Sequence, residues 1–210
     1  MTAFAGLVAA LLLAAGPAHA NEAYITQVGA GNAGANLQFG QANQAFLSQA
    51  GVANQAVQVA SGRDNLTATV QAVALNAAIT QVDGSRNRTA TVQIGAANRS
   101  IARIAGDGNT VGTLQIGALH RARVTVLGNA SEVGVAQFGL AHETDLAVID
   151  GLAEGSAAPS GGAGAPGRGE GLRVGVVQTG AFSTLDALVG RDRLGNIIVR
   201  PGTATTVLRF

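Results

Sequence analysis

Gln38-Phe39-Gly40-Gln41-Ala42-Asn43-Gln44-Ala45 runs straight into Phe46-Leu47-Ser48-Gln49-Ala50-Gly51-Val52-Ala53-Asn54. The second stretch restates the first eleven positions later: a Gln, a Gly two residues on and an Asn five residues on. Outward from this pair, Gln27, Gln49, Gln71, Gln93, Gln115 and Gln137 recur every 22 residues without insertion or deletion. Loops of a globular domain tolerate changes of length, so such a ruler has no purpose there. A coiled chain needs it, because equal coils place like residues over like. The expected fold is all-β: a two-strand-per-coil β-solenoid with 22-residue coils, each made of two 11-residue strand–turn halves.

With each glutamine as position zero, Gln27 is followed by Gly29 and Asn32, Gln49 by Gly51 and Asn54, and Gln93 by Gly95 and Asn98. Gln71 keeps Asn76 but has Val73 for the glycine, while Gln115 and Gln137 keep Gly117 and Gly139 and carry His120 and His142 for the asparagine. The intervening set begins with Gln38, Gly40 and Asn43. It continues as Gly62 with Asn65, Gly84 with Asn87, Gly106 with Asn109 and Gly128 with Ser131, its zero position drifting to Ala60, Val82, Ile104 and Val126. Segments such as Thr67-Ala68-Thr69-Val70-Gln71 are rich in strand formers. Gly-x-x-Asn is turn chemistry, since both residues accept positive φ. Strand alternation puts position zero and the places two and four before it on one side. That side holds sets such as Ala45/Leu47/Gln49 and Thr89/Thr91/Gln93, small or β-branched, and is expected to face inward. Buried glutamine amides are then expected to bond one another along the stack, with asparagines forming similar ladders.

Composition agrees with a thin core. Of 210 residues 12% are charged and 3% aromatic, 30 are Gly, and there is no Cys or Trp. Too few large side chains are present for a thick interior. A net charge of +1 leaves no electrostatic footprint for nucleic acid. The run from Leu7 to Ala15, broken by Gly16-Pro17 and followed by Ala18-His19-Ala20, has the form of a secretory signal peptide cleaved after Ala20, although no Lys or Arg precedes it. The expected organisation is therefore a signal peptide over 1–20 and solenoid repeats over 21–151. A flexible Gly/Ala/Pro-rich insertion over 152–171 follows, then a degenerate final coil with a strand-like tail over 172–210. Gln178-x-Gly180 resumes the pattern 41 residues after Gln137, where two full coils would need 44. No transmembrane segment is expected in the mature chain.

Gln-x-Gly-x-x-Asn-x-Ala with a further Gln eleven on, as in Gln38 to Ala45 followed by Gln49, resembles the curlin repeat. The resemblance runs from about Gln27 to Asp150 and returns at Gln178. The Ser that the family carries six before Gln is replaced by Asn43, Asn65, Asn87 and Asn109 and kept as Ser131. The resemblance implies a secreted subunit of curli, the bacterial surface amyloid fibres of adhesion and biofilm matrix. Its implied partners are itself and other curlin-like subunits, together with periplasmic chaperones and an outer-membrane export channel.

Polymerisation also follows from physics. A stack of two-strand coils ends in open strand edges that template further chain, and a head-to-tail contact that does not close makes a filament. Arg63-Asp64, Arg86-Arg88, Arg121-Arg123 and Glu143-Asp145, placed in or near turns, have the form of solubilising gatekeepers. No catalytic site, metal centre or cofactor is expected: the acids are scattered, and His120 and His142 stand in a turn ladder without a third ligand. The alternative is a monomeric binding solenoid, ice- or surface-binding, for which Thr67-x-Thr69 and Thr89-x-Thr91 supply a short threonine array.

Overall fold

A computed structural model describes residues 8–12, 20–150, 171–191 and 197–201. A short strand, β1 (Val8–Leu12), precedes the repeats. The repeats form β2 (Glu22–Ala30), β3 (Ala33–Gln41), β4 (Gln44–Val52), β5 (Gln55–Arg63), β6 (Leu66–Ala74), β7 (Ala77–Ser85), β8 (Arg88–Ala96), β9 (Arg99–Ala105), β10 (Thr110–Ala118), β11 (Arg121–Leu127), β12 (Glu132–Leu140) and β13 (Glu143–Asp150). Then come β14 (Arg173–Ala181), β15 (Thr184–Arg191) and β16 (Ile197–Pro201). No helix occurs among the described residues, hence none that could cross a membrane.

From β2 to β15 the strands alternate between two parallel sheets. The even strands form one, in the order β14-β12-β10-β8-β6-β4-β2, and the odd strands the other, from β3 to β15. The register keeps the ruler: Gln49 lies beside Gln27 and Gln71, and Gln115 beside Gln93 and Gln137. The expected β-solenoid of 22-residue coils is the fold. β1 pairs in parallel with β3 at one end of the odd sheet, and β16 runs antiparallel along β15 at the other. The presumed leader over 1–20 otherwise lies outside the described residues, as does most of the 152–171 insertion.

The inward phase holds. Ala45, Leu47 and Gln49 are all 2% exposed or less, and Thr67, Thr69, Thr89 and Thr91 are buried with them. The threonine array therefore points into the protein, not to water. Interior composition changes along the stack. Asn36, Gln38, Gln58 and Thr80 line the first coils of the odd sheet, whereas Val124, Val126, Leu146 and Val148 form the core of the later ones. On the odd-sheet side the interior thus passes from polar side chains at the N-terminal end to apolar ones at the C-terminal end.

Three expectations need correction. Gln178 sits directly beside Gln137 with all nine residue pairs of β12 and β14 in register. The segment after β13 therefore lengthens one coil instead of spanning two, and β14 and β15 continue the parallel pairing beyond it. Next, the turn residue with positive φ is not the Asn but the one before it: Ala42, Ala53 and Leu75 have φ of 54°, 54° and 56°. The left-handed residue swings the chain from one sheet to the other and leaves the Asn side chain directed inward. Last, Arg123 and Asp145 lie within β11 and β13, where they form an exposed ion pair of 2.8 Å on the odd sheet's outer face, not at a turn.

Glycine at the second place after Gln meets a double constraint. Gly51 has φ of 116°, and a Cβ there would overlap the carbonyl oxygen of Val73 in the next coil. Close vertical approach of the turns requires the missing side chain. Val73, in the same column, holds φ of 84°, a conformation unfavourable for a β-branched residue.

Candidate assembly site: amide ladders and open sheet edges

Position-zero glutamines form one continuous chain of hydrogen bonds. Gln27 Nε2 donates to Gln49 Oε1 at 2.6 Å, Gln49 to Gln71 at 2.7 Å, Gln71 to Gln93 at 2.8 Å, and Gln93 to Gln115 at 2.8 Å. Gln115 then donates to Gln137 at 2.7 Å and Gln137 to Gln178 at 2.8 Å. From Gln49 on, each Nε2 spends its second proton on a main-chain carbonyl of the opposite sheet, as Gln49 does on Ala33 and Gln93 on Ala77. The glutamine column therefore joins coil to coil and sheet to sheet. An amide has two donor protons, and both are used. Gln38 belongs to a different arrangement: its Nε2 donates to the Glu22 carbonyl, and the column above it turns apolar from Ala60 onward.

Asparagines make two further ladders, one at each turn of the coil. In the first, Asn54 Nδ2 and its main-chain N–H both donate to Asn32 Oδ1, at 3.1 and 3.0 Å, and Asn76 and Asn98 repeat the pattern upward. The remaining Nδ2 proton caps main-chain carbonyls of the turn, that of Ala72 for Asn76 and that of Gly95 in the next coil. This last bond links the Asn and Gly columns. In the second ladder Asn43, Asn65, Asn87 and Asn109 do the same, and Ser131 ends it with its main-chain N–H on Asn109 Oδ1. Asn21 starts that ladder: it is buried, and its Oδ1 accepts from Asn43. Asn21 was not singled out in the sequence, although it stands 22 residues before Asn43.

His120 and His142 replace asparagine by the same valences. The main-chain N–H of His120 donates to Asn98 Oδ1, and His120 Nδ1 accepts the main-chain N–H of His142. His142 Nδ1 in turn faces Ser183, whose Oγ lies 2.6 Å away. Each Nε2 faces the carbonyl four residues earlier, Ile116 or Phe138, as the asparagine Nδ2 does at Asn76. An Nδ1 that accepts an N–H carries no proton, so the His120 ring is the Nε2–H tautomer. Burial, the largest influence, depresses the pKa of His120, and His142 adds to the depression by charge repulsion. Among the described residues no group of three His, Cys, Asp or Glu is placed to hold a metal.

The ladders end asymmetrically. Gln27 Oε1 is buried and finds no partner among the described residues. At the other end Gln178 Oε1 accepts from Gln137 and Thr144, and its Nε2 donates to the carbonyls of Glu143 and Ser183. Among the described residues β2 and β14 each have a strand on one side only, so the even sheet is open at both ends.

These features define a class: a parallel two-sheet β-solenoid whose interior is tied by three polar side-chain ladders. No protein-family model matches the chain, nor does any curated protein or solved structure.

Proposed function

We propose that this chain is a secreted structural subunit of a curli-like extracellular fibre, built by head-to-tail stacking of solenoids and serving adhesion and biofilm matrix. The observation that carries the reading is Gln27 Oε1, a buried acceptor without a partner among the described residues, at the head of a ladder whose every step runs Nε2 to Oε1 toward the tail. A second copy set on β2 with its own β14 would bring Gln178 Nε2 to that acceptor, in exchange for its bond to the Ser183 carbonyl, and continue the sheet's main-chain pairing. Leaving a buried acceptor unpaired costs about 1–3 kcal/mol, which association would recover. The same contact repeats without closing and so yields a filament. Likeness of the repeat to curlin supports the same reading and adds the export channel and periplasmic chaperones as partners.

The odd sheet adds a condition. β1 lies on the head edge of β3, so cleavage after Ala20 would free that edge and leave Asn21, the first member of its ladder, at the new terminus. β16 covers the tail edge of β15. Growth would therefore begin on the even sheet and complete on the odd sheet once β16 yields.

Dilution of residues 21–210 from denaturant tests the proposal. Fibres with a meridional reflection near ~4.8 Å are expected. A chain that folds and stays monomeric for days without a thioflavin signal would overturn it.

A further inference from the structure

The two outer faces of the solenoid differ. On the odd sheet, Arg99, Arg103, Arg121, Arg123, Glu143 and Asp145 face water. On the even sheet, charge is confined to the strand starts, Glu22, Arg88, Glu132 and Arg173. The three rows beyond them carry none. Large apolar side chains stand open there: Tyr24 is 54% exposed and Val177 58%. Seven strands at about 4.8 Å and the five residues that these rows span at about 3.3 Å give an uncharged face of roughly 550 Å². That is at the upper end of the largest apolar patch of a monomer, about 300–600 Å², and with the strand-start row included the face approaches the ~800 Å² per partner of a standard protein interface.

We infer that this face pairs with the same face of a second copy, about a two-fold axis parallel to the strands and passing over β8. The relief of the face selects the occupant and its orientation. In one row, the register places Tyr24 and Phe46, stacked 5.1 Å apart, at the head and Gly112, Gly134 and Gly175 at the tail. These three glycines are not required by the fold: none has positive φ, and a Cβ on any of them would meet nothing within 4 Å. A glycine inside a strand weakens it and often marks close approach of another body. The two-fold sets Tyr24 opposite Gly175 and Phe46 opposite Gly134. The row on the far side is complementary in the reverse sense, with Phe138 opposite Ala50 and Ile116 opposite Ala72. Charge agrees at the rim, where Glu22 comes opposite Arg173. Arg88 meets its own copy on the axis, at an edge where solvent screens the repulsion. An axis along the stack would instead set Tyr24 opposite Val28, bulk against bulk.

This contact is independent of head-to-tail growth, because β8 lies three strands from either end of its sheet. The test uses single cysteines in the full chain, which has none of its own. Ala90, on β8, faces its own copy across the axis. With a short bismaleimide, Ala90→Cys is expected to cross-link to a dimer at least about tenfold faster than Gln81→Cys on the odd sheet's outer face, since pairing raises the effective thiol concentration. A mixture of Phe46→Cys and Gly134→Cys chains is expected to form mixed dimers, while neither variant alone does. Adding Gly134→Glu to Ala90→Cys, with the melting temperature as a check on folding, is expected to abolish cross-linking. Equal rates for Ala90→Cys and Gln81→Cys would overturn the proposal. So would full cross-linking in the presence of Gly134→Glu, or a dimer captured by Val92→Cys but not by Ala90→Cys, which would mean the other axis. Fibre growth without face cross-linking would reject this contact and leave the head-to-tail reading standing.

Discussion

His120 and His142 stack with ring centroids 5.1 Å apart and planes 4° from parallel, and His120 Nδ1 accepts the main-chain N–H of His142 at 3.2 Å. An imidazole thus does the work of an asparagine amide, but unlike an amide it can take up a proton. Protonated Nδ1 would point a donor at a donor.

A pH dependence follows. Burial holds the His120 pKa below its ordinary value of 6.5 in the folded state. The unfolded chain then binds more protons as the pH falls, so the contribution to stability is complete above about pH 6.5 and is lost as pH falls through the folded value. His120→Asn, which restores the ladder's usual residue, is expected to lose less stability between neutral and acid pH. Denaturant midpoints of both proteins across that range are the check, and identical slopes would contradict the account.

Gln93→Ala is expected to cost about 2–4 kcal/mol, combining a cavity with orphaned amide groups. It removes the bonds to Gln71, Gln115 and Ala77 together. Replacing Gln49 and Gln137 together by Ala is expected to slow fibre growth. Unchanged thioflavin kinetics in the double variant would count against the ladder as the device of assembly.

Val73→Gly is expected to stabilise by about 1–2 kcal/mol, because it relieves a β-branched residue at positive φ. Gly51→Ala should do the reverse and more, since its Cβ would overlap the Val73 carbonyl. Thermal unfolding of the two variants decides the sign.

Removal of residues 192–210 deletes β16, the antiparallel strand on β15. If that strand shields the odd sheet's tail edge, the shortened chain should elongate fibres faster at equal concentration. Slower or equal elongation would make β16 part of the growing contact instead.

Much of this was legible in the sequence, for identifiable reasons. An unbroken 22-residue interval fixes coil length, and strand alternation around Gln49 fixes which side is buried, because a one-residue slip would turn Gln49 outward and Phe46 inward. What stayed hidden depends on three-dimensional relations. Ala42, Leu75 and Phe182 carry the left-handed turn, a position for which glycine propensity gives no warning in such residues. The glutamine bond to a carbonyl of the opposite sheet joins Gln49 to Ala33, residues that no repeat relates. After Asp150 the interval changes to 41, and only the pairing of Gln137 with Gln178 shows that a single coil was lengthened. The Gly112, Gly134 and Gly175 column passes unnoticed in the sequence because glycine is common throughout the chain.

The most direct test of the central claim is the contact between Gln178 of one copy and Gln27 of the next. Fibres grown from a mixture of two chain populations, each isotopically labelled at one of these side chains, would be examined by solid-state NMR. The account predicts an intermolecular cross-peak between Gln178 Nε2 and the Gln27 side-chain carbonyl. Well-formed fibres without that cross-peak would contradict it.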